Sequence, residues 1–181
     1  MDRAVFLDRD GVINWVVLVR GRPYSPSSVE KLEFLPGVSE AIHALHGAGF
    51  RVIIVTNQPD VATGAQQRAV VEMMHEHIRR SFPIDDIKVC YHVDEDGCAC
   101  RKPKAGMLLE AAKEWTLDLG QSFMVGDRWR DIQAGQAAGC KTILIKNEYK
   151  ERPADNPDAV VNSLLEASVL ILSNGIAGDH K

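Results

Sequence analysis

Ala4-Val5-Phe6-Leu7-Asp8-Arg9-Asp10-Gly11 runs four apolar residues straight into two carboxylates one residue apart. A short, continuously apolar run ended by a polar turn reads as a strand buried on both faces. The pattern recurs along the 181-residue chain. Strands are predicted over 4–8, 51–56, 86–92, 122–126, 141–145 and 159–161. Helical spacings lie between them. Val38, Ile42 and Leu45 mark one helix, and Val70, Val71, Met74 and Ile78 a second. Met107, Leu108, Ala111, Ala112 and Trp115 mark a third. A fourth spans 131–138, closed by Gly139, and a last one 163–172. This alternation predicts an α/β fold, a doubly wound, Rossmann-like parallel sheet that binds ligands at the carboxyl ends of its strands. Two segments interrupt it: a β-hairpin over 14–23, turning at Arg20-Gly21-Arg22, and a polar, Cys-rich stretch over 92–103. Neither is long enough for a separate cap domain. One domain is expected over 1–173, with 174–181 as a flexible tail.

A net charge of −4 gives no general attraction to nucleic acid or to an anionic membrane. Positive charge for an anionic substrate must therefore be concentrated at its site. The apolar start is too short for a signal-peptide core, and no segment is long enough to span a bilayer. The expected setting is cytoplasmic, and the expected assembly a monomer. Four cysteines in that compartment read as metal ligands or core residues rather than disulfides.

Four stretches carry candidate chemistry, and each follows a strand or opens a helix. Asp8 and Asp10 are close enough to raise each other's pKa unless a cation intervenes. Magnesium would neutralise them and accept phosphate oxygens. Asp8 can then attack phosphorus while Asp10 protonates the leaving oxygen. Thr56-Asn57-Gln58 puts a hydroxyl and backbone N–H groups at a strand end, where a phosphate can be held. Arg101-Lys102-Pro103-Lys104 opens a helix and offers a cation against negative charge that grows in the transition state. In Gly126-Asp127-Arg128-Trp129-Arg130-Asp131, Asp127 is a natural magnesium ligand, and Asp131 can cap or support the helix that follows. Taken singly, each stretch also reads as an ordinary turn or cap. Trp129 fits packing over a substrate as well as capping.

Cys90-x-His92 and Cys98-x-Cys100 gather three sulfurs and one imidazole in one short segment. Soft donors in fours suit a tetrahedral structural zinc. Arg101 and Lys102 follow at once, so the metal would pin the loop that aims the lysine. Cys140, outside the cluster, reads as a core thiol. His43, His46, His75 and His77 are expected on helix surfaces without a role. Glu72, Glu76, Arg79 and Arg80 read as a solvated helix face.

In this order, Asp8-x-Asp10-Gly11, Thr56-Asn57, Lys102 and Gly126-Asp127 resemble the four motifs of the haloacid dehalogenase (HAD) superfamily of phosphatases. The resemblance covers nearly the whole chain. It implies Asp8 as nucleophile, Asp10 as general acid and then base, and Thr56 and Lys102 holding the phosphoryl group. It also implies magnesium on Asp8, the Asp10 carbonyl and Asp127. The Cys-x-His…Cys-x-Cys-Arg-Lys-Pro pattern is similar to two groups within the superfamily, the D-glycero-D-manno-heptose 1,7-bisphosphate phosphatases and the histidinol-phosphate phosphatases. Pro103-Lys104-Ala105-Gly106-Met107 is more like the heptose group. That likeness implies a small phosphorylated sugar as partner, converted from heptose 1,7-bisphosphate to heptose 1-phosphate. Asn57, Gln58, Arg101 and Arg128 would then bind substrate, with the two arginines on its second phosphate or sugar. The alternatives are histidinol phosphate hydrolysis, or a zinc-stabilised binding module without catalysis. Two segments depart from the family pattern: the hairpin replaces a short Gly-Tyr-Val stretch, and Pro59-Asp60 replaces Ser-Gly. Both are expected to border the substrate.

Overall fold

A computed structural model describes residues 1–173; the tail expected over 174–181 lies outside them. The chain runs Ala4–Leu7 (β1), Val17–Val19 (β2), Arg22–Tyr24 (β3), Val38–Gly47 (α1), Arg51–Asn57 (β4), Arg68–Ser81 (α2) and Asp86–Cys90 (β5). It continues through Gly106–Trp115 (α3), Phe123–Gly126 (β6), Trp129–Ala138 (α4), Lys141–Ile145 (β7), Ala159–Val161 (β8) and Leu164–Leu172 (α5). Six strands form one parallel sheet in the order β5-β4-β1-β6-β7-β8. The doubly wound α/β sheet read from the alternation is therefore present. β5 stops at Cys90, short of the predicted His92, because the chain leaves the ladder there for the cysteine cluster.

Alternation within β1 shows why its residues are apolar throughout. Val5 and Leu7 pack with residues of α1, α2 and α5. Ala4 and Phe6 point the other way, toward α3 and α4. All four are fully buried, and each large side chain hidden this way contributes about 1.5–3 kcal/mol. α2 carries the expected solvated face, with Arg68–Glu72 and Glu76–Arg80 ion pairs. Its other face holds Val71, Met74 and Ile78, and also His75. The expectation of a surface His75 is thus corrected: it sits one turn from Val71 on the inward stripe.

β2 and β3 form the expected hairpin, paired antiparallel from Val17↔Tyr24 to Val19↔Arg22. Arg20 and Gly21 both take positive φ (53° and 82°), the geometry of a tight two-residue hairpin turn. β1 lies between β4 and β6, so the strand order reverses around it. Its carboxyl end opens into the crevice where such sheets bind ligands. Among the described residues no helix is long and apolar enough to cross a membrane.

Candidate active site

Asp8 follows directly on β1, and its backbone N–H donates to the Val125 carbonyl (3.0 Å). That bond fixes the carboxylate at the carboxyl edge of the sheet. Lys102 meets it there, 2.7 Å from Asp8 Oδ1, 2.6 Å from Asp131 Oδ1 and 2.7 Å from the Val55 carbonyl. The ammonium is almost fully buried. Its loop is fastened by Asn57, whose Nδ2 donates to the Lys102 carbonyl (3.0 Å) while Oδ1 accepts from the Lys102 N–H (3.1 Å). Asn57 thus holds the lysine loop as well as lining the cleft. Thr56 lines it too, with its hydroxyl accepting from Gln58 Nε2 (2.9 Å).

Asp8, Asp127 and Asp131 bring carboxylate oxygens within 4.8 Å of one another, all buried. Two glycines permit this. A side chain on Gly11 (φ 86°) would collide with the Asp127 carboxylate, and one on Gly126 with Asp131. Asp131 also accepts from the Arg128 N–H (3.0 Å), capping α4 as expected while bonding the lysine. Three carboxylates against one ammonium leave negative charge uncompensated in a dry place. Burial accordingly pushes Asp8 up to about 6, against the pull of Lys102. Burial also drives Asp127 well above the carboxylate range, and the charges of Asp8 and Asp131 add to it. Neither Asp127 carboxylate oxygen has a hydrogen-bond partner among the described residues. The Tyr149 hydroxyl is the polar group beside the Asp127 carboxylate and pulls its pKa down, by less than burial and the neighbouring acids push it up. An orphaned buried carboxylate facing a second one fits a hard divalent cation with oxygen ligands.

Asp10 is turned away from this cluster. Its two oxygens accept from Arg9 Nη2 (2.9 and 2.8 Å), Asn14 Nδ2 (2.9 Å), Ser25 Oγ (2.6 Å) and Gln58 Nε2 (2.9 Å). Burial opposes its charge, but Arg9 and these donors outweigh it and hold the carboxyl below its usual range. Gln58 therefore sits buried between Asp10 and Thr56. Arg9, fully buried, extends on to His75 Nε2 (3.1 Å). A guanidinium only donates, so His75 accepts there as a neutral ring. Burial first, and Arg9 next, lower its pKa to about 3. Arg9, Asn14, Ser25 and His75 thus join the site beyond the residues its motifs mark. A cation between two acids in Asp8-Arg9-Asp10 was the available signal.

The four predicted zinc donors converge. Cys90, Cys98 and Cys100 sulfurs lie 3.2–3.7 Å apart, and His92 Nδ1 is 3.7 Å from Cys90 and 3.4 Å from Cys100. A zinc tetrahedron with bonds of ~2.0–2.3 Å has edges of this order, so the donor set fits that ion. The loop closes on itself through Lys104 Nζ, which donates to the carbonyls of Gly97 (2.8 Å) and Cys98 (2.7 Å). Cys140 is a buried core thiol, as expected.

A cleft of about 520 Å³ joins Asp8 to the hairpin and to the loop after β7. Arg22, Arg101, Lys102, Arg128, Arg130, Lys150 and Arg152 line it, so this acidic chain does concentrate positive charge. Several of these cations are already paired. Arg101 (2.7 Å) and Arg130 (3.1 Å) share Asp94. Arg128 is bonded twice to Glu151. Arg152 stacks over Trp129 at 3.8 Å and reaches Asp155 at 3.7 Å. Trp129 is thus a platform for guanidinium groups at the cleft wall, with Arg130 also against its ring (4.7 Å).

A family model described as HAD-hydrolase-like matches residues 99–167. The chain is 36% identical over 157 residues to a D-glycero-beta-D-manno-heptose-1,7-bisphosphate 7-phosphatase of Helicobacter pylori, covering 82% of this chain and 87% of that one. It is 37% identical over 152 residues to the corresponding alpha-anomer phosphatase of Campylobacter jejuni, covering 82% and 85%. The crystal structure of the D,D-heptose 1,7-bisphosphate phosphatase of B. bronchiseptica, complexed with magnesium and phosphate, superposes with a TM-score of 0.83 at 31% identity, covering 95% of this chain and 99% of that one. Motif order, sheet topology and likeness over most of both chains agree: the protein belongs to the HAD-like hydrolases, in the group of the heptose 1,7-bisphosphate phosphatases.

Proposed function

We propose that this phosphoric monoester hydrolase removes the 7-phosphate of D-glycero-D-manno-heptose 1,7-bisphosphate, through a phosphate ester formed on Asp8. The observation that carries the reading is Asp8 held 2.7 Å from a buried Lys102, facing the unpartnered carboxylate of Asp127. Asp8 attacks phosphorus, and the bond from phosphorus to the sugar oxygen breaks. Lys102 and Thr56 hold the phosphoryl oxygens as negative charge builds. Asp10 gives its proton to the departing sugar oxygen, then takes one from the water that attacks the aspartyl-phosphate. Every group now bonding Asp10 donates to it, which favours the carboxylate that receives a proton. To act as an acid it must swing off these donors toward the cleft.

Magnesium, held by Asp8, Asp127 and the Asp10 carbonyl, would neutralise the acids and polarise the phosphate. Zinc, held by Cys90, His92, Cys98 and Cys100, would keep the Lys102 loop in place. The relatives' substrates support a bisphosphorylated heptose. They include phosphatases of both anomers at nearly equal identity.

The test is magnesium-dependent phosphate release from both heptose 1,7-bisphosphate anomers and from histidinol phosphate, with Asp8→Asn in parallel. The expected result is release from a heptose bisphosphate and none from the variant. Equal release by Asp8→Asn would reject the nucleophile, and preference for histidinol phosphate would reject the substrate.

A further inference from the structure

The cleft holds seven basic side chains; Lys102 serves the reacting phosphate beside Asp8, and four others are tied to carboxylates. The two that have no acidic partner among the described residues are Arg22, at the start of β3, and Lys150, in the loop after β7. They belong to one unit. The Lys150 N–H donates to the Gly21 carbonyl (2.9 Å). The Lys150 stem covers Gly21, where a Cβ would come 2.7 Å from Lys150 Cδ. Glycine at the turn thus lets the hairpin and the loop approach, and delivers both cations to the same wall.

A cation already neutralised by a carboxylate offers an anion little net attraction, because binding must compete with the existing pair. A cation without a counter-charge has no such competitor. We propose that Arg22 and Lys150 form the subsite for the second anionic group of a doubly phosphorylated substrate, and so set the preference for bisphosphate over monophosphate. This rests on the phosphatase reading above. It shifts the second-phosphate contact from Arg101 and Arg128, which are occupied by Asp94 and Glu151, to one residue on the hairpin and one on the loop packed against it.

The test separates binding from chemistry. In an Asp8→Asn background, calorimetry compares heptose 1,7-bisphosphate with heptose 7-phosphate. The bisphosphate is expected to bind about tenfold tighter or more, as charge-assisted contacts to two cations allow. Arg22→Gln with Lys150→Gln is expected to narrow that ratio below about threefold, while Arg22→Lys keeps most of it. Both side chains are exposed, so folding is not at stake. A double variant that keeps the full ratio overturns the subsite, as does a parent protein that binds the two ligands equally. Phosphate release by the unmodified protein is read separately. Binding that depends on these cations without any turnover would sink the phosphatase reading and leave the subsite standing.

Discussion

Lys102 offers the sharpest test of the site's electrostatics, because its effect on stability must depend on pH. Its ammonium bonds Asp8, Asp131 and the Val55 carbonyl in a nearly water-free setting. Lys102→Met removes the charge and keeps most of the volume. It leaves two buried carboxylates without a cation, a loss of about 3–5 kcal/mol for a broken buried pair. Carboxylates escape that cost by taking up protons. Even with Lys102 present, the folded Asp8 titrates near 6 rather than 3.8, so the native state binds more protons than the unfolded chain between those values. Stability from this group therefore falls as pH rises through that window, by up to about 3 kcal/mol. Without Lys102 the fall extends to higher pH. In magnesium-free buffer the variant should unfold close to wild type at pH 5. At pH 8 it should unfold at a urea midpoint roughly 2 M lower, given typical denaturant slopes. Magnesium should recover part of the difference at pH 8. Equal destabilisation at both pH values would refute the argument, since the ammonium would then not be what compensates these acids.

Two further perturbations bear on the supports of the site. His75 is held neutral with a pKa near 3, below its unfolded value, so its contribution is intact above about pH 6.5 and is lost as pH falls from there. His75→Gln should therefore gain about 2–3 kcal/mol on wild type between pH 7.5 and 4.5; parallel stability curves in thermal or urea melts would show that the ring is not buried against Arg9. Freshly purified protein should carry about one equivalent of zinc. Cys98→Ser should lose it and reduce turnover by on the order of 100-fold by letting Lys102 drift, and metal analysis paired with kcat would reveal a variant that lacks the ion yet turns over normally.

The fold was legible because β1, β4 and β6 are apolar on both faces and the chain turns polar at or just after the end of each. A parallel sheet leaves that imprint whatever its function. The carboxylates, the lysine and the cysteine cluster were legible for a related reason: each stands beside the end of a strand or the start of a helix, where its neighbours in sequence fix its place. Asp8 follows β1, Asp127 follows β6, and Cys98 and Cys100 lie eight or ten residues from Cys90. His75 was misplaced because Val71, Met74 and Ile78 define the inward stripe of α2 while a histidine between them is silent about side. Its burial depends on Arg9, 66 residues away, and no local pattern carries that partnership.

The same limit explains why the arginines could be named as site residues and still be assigned too simply. From sequence, Arg101 and Arg128 stand out as cations beside the motifs, and nothing there shows whether an acid already holds them. What distinguishes them is the acid each meets: Asp94 folds back onto Arg101, and Glu151 arrives on Arg128 from the loop after β7. A guanidinium in such a pair orients its neighbours, whereas one without a partner presents its charge to whatever enters the cleft. The hairpin supplies a cation of the second kind, in Arg22. Its exposed apolar strand, Val17–Val19, contributes little to the core, while its turn, with Gly21 against Lys150, brings Arg22 to the cleft.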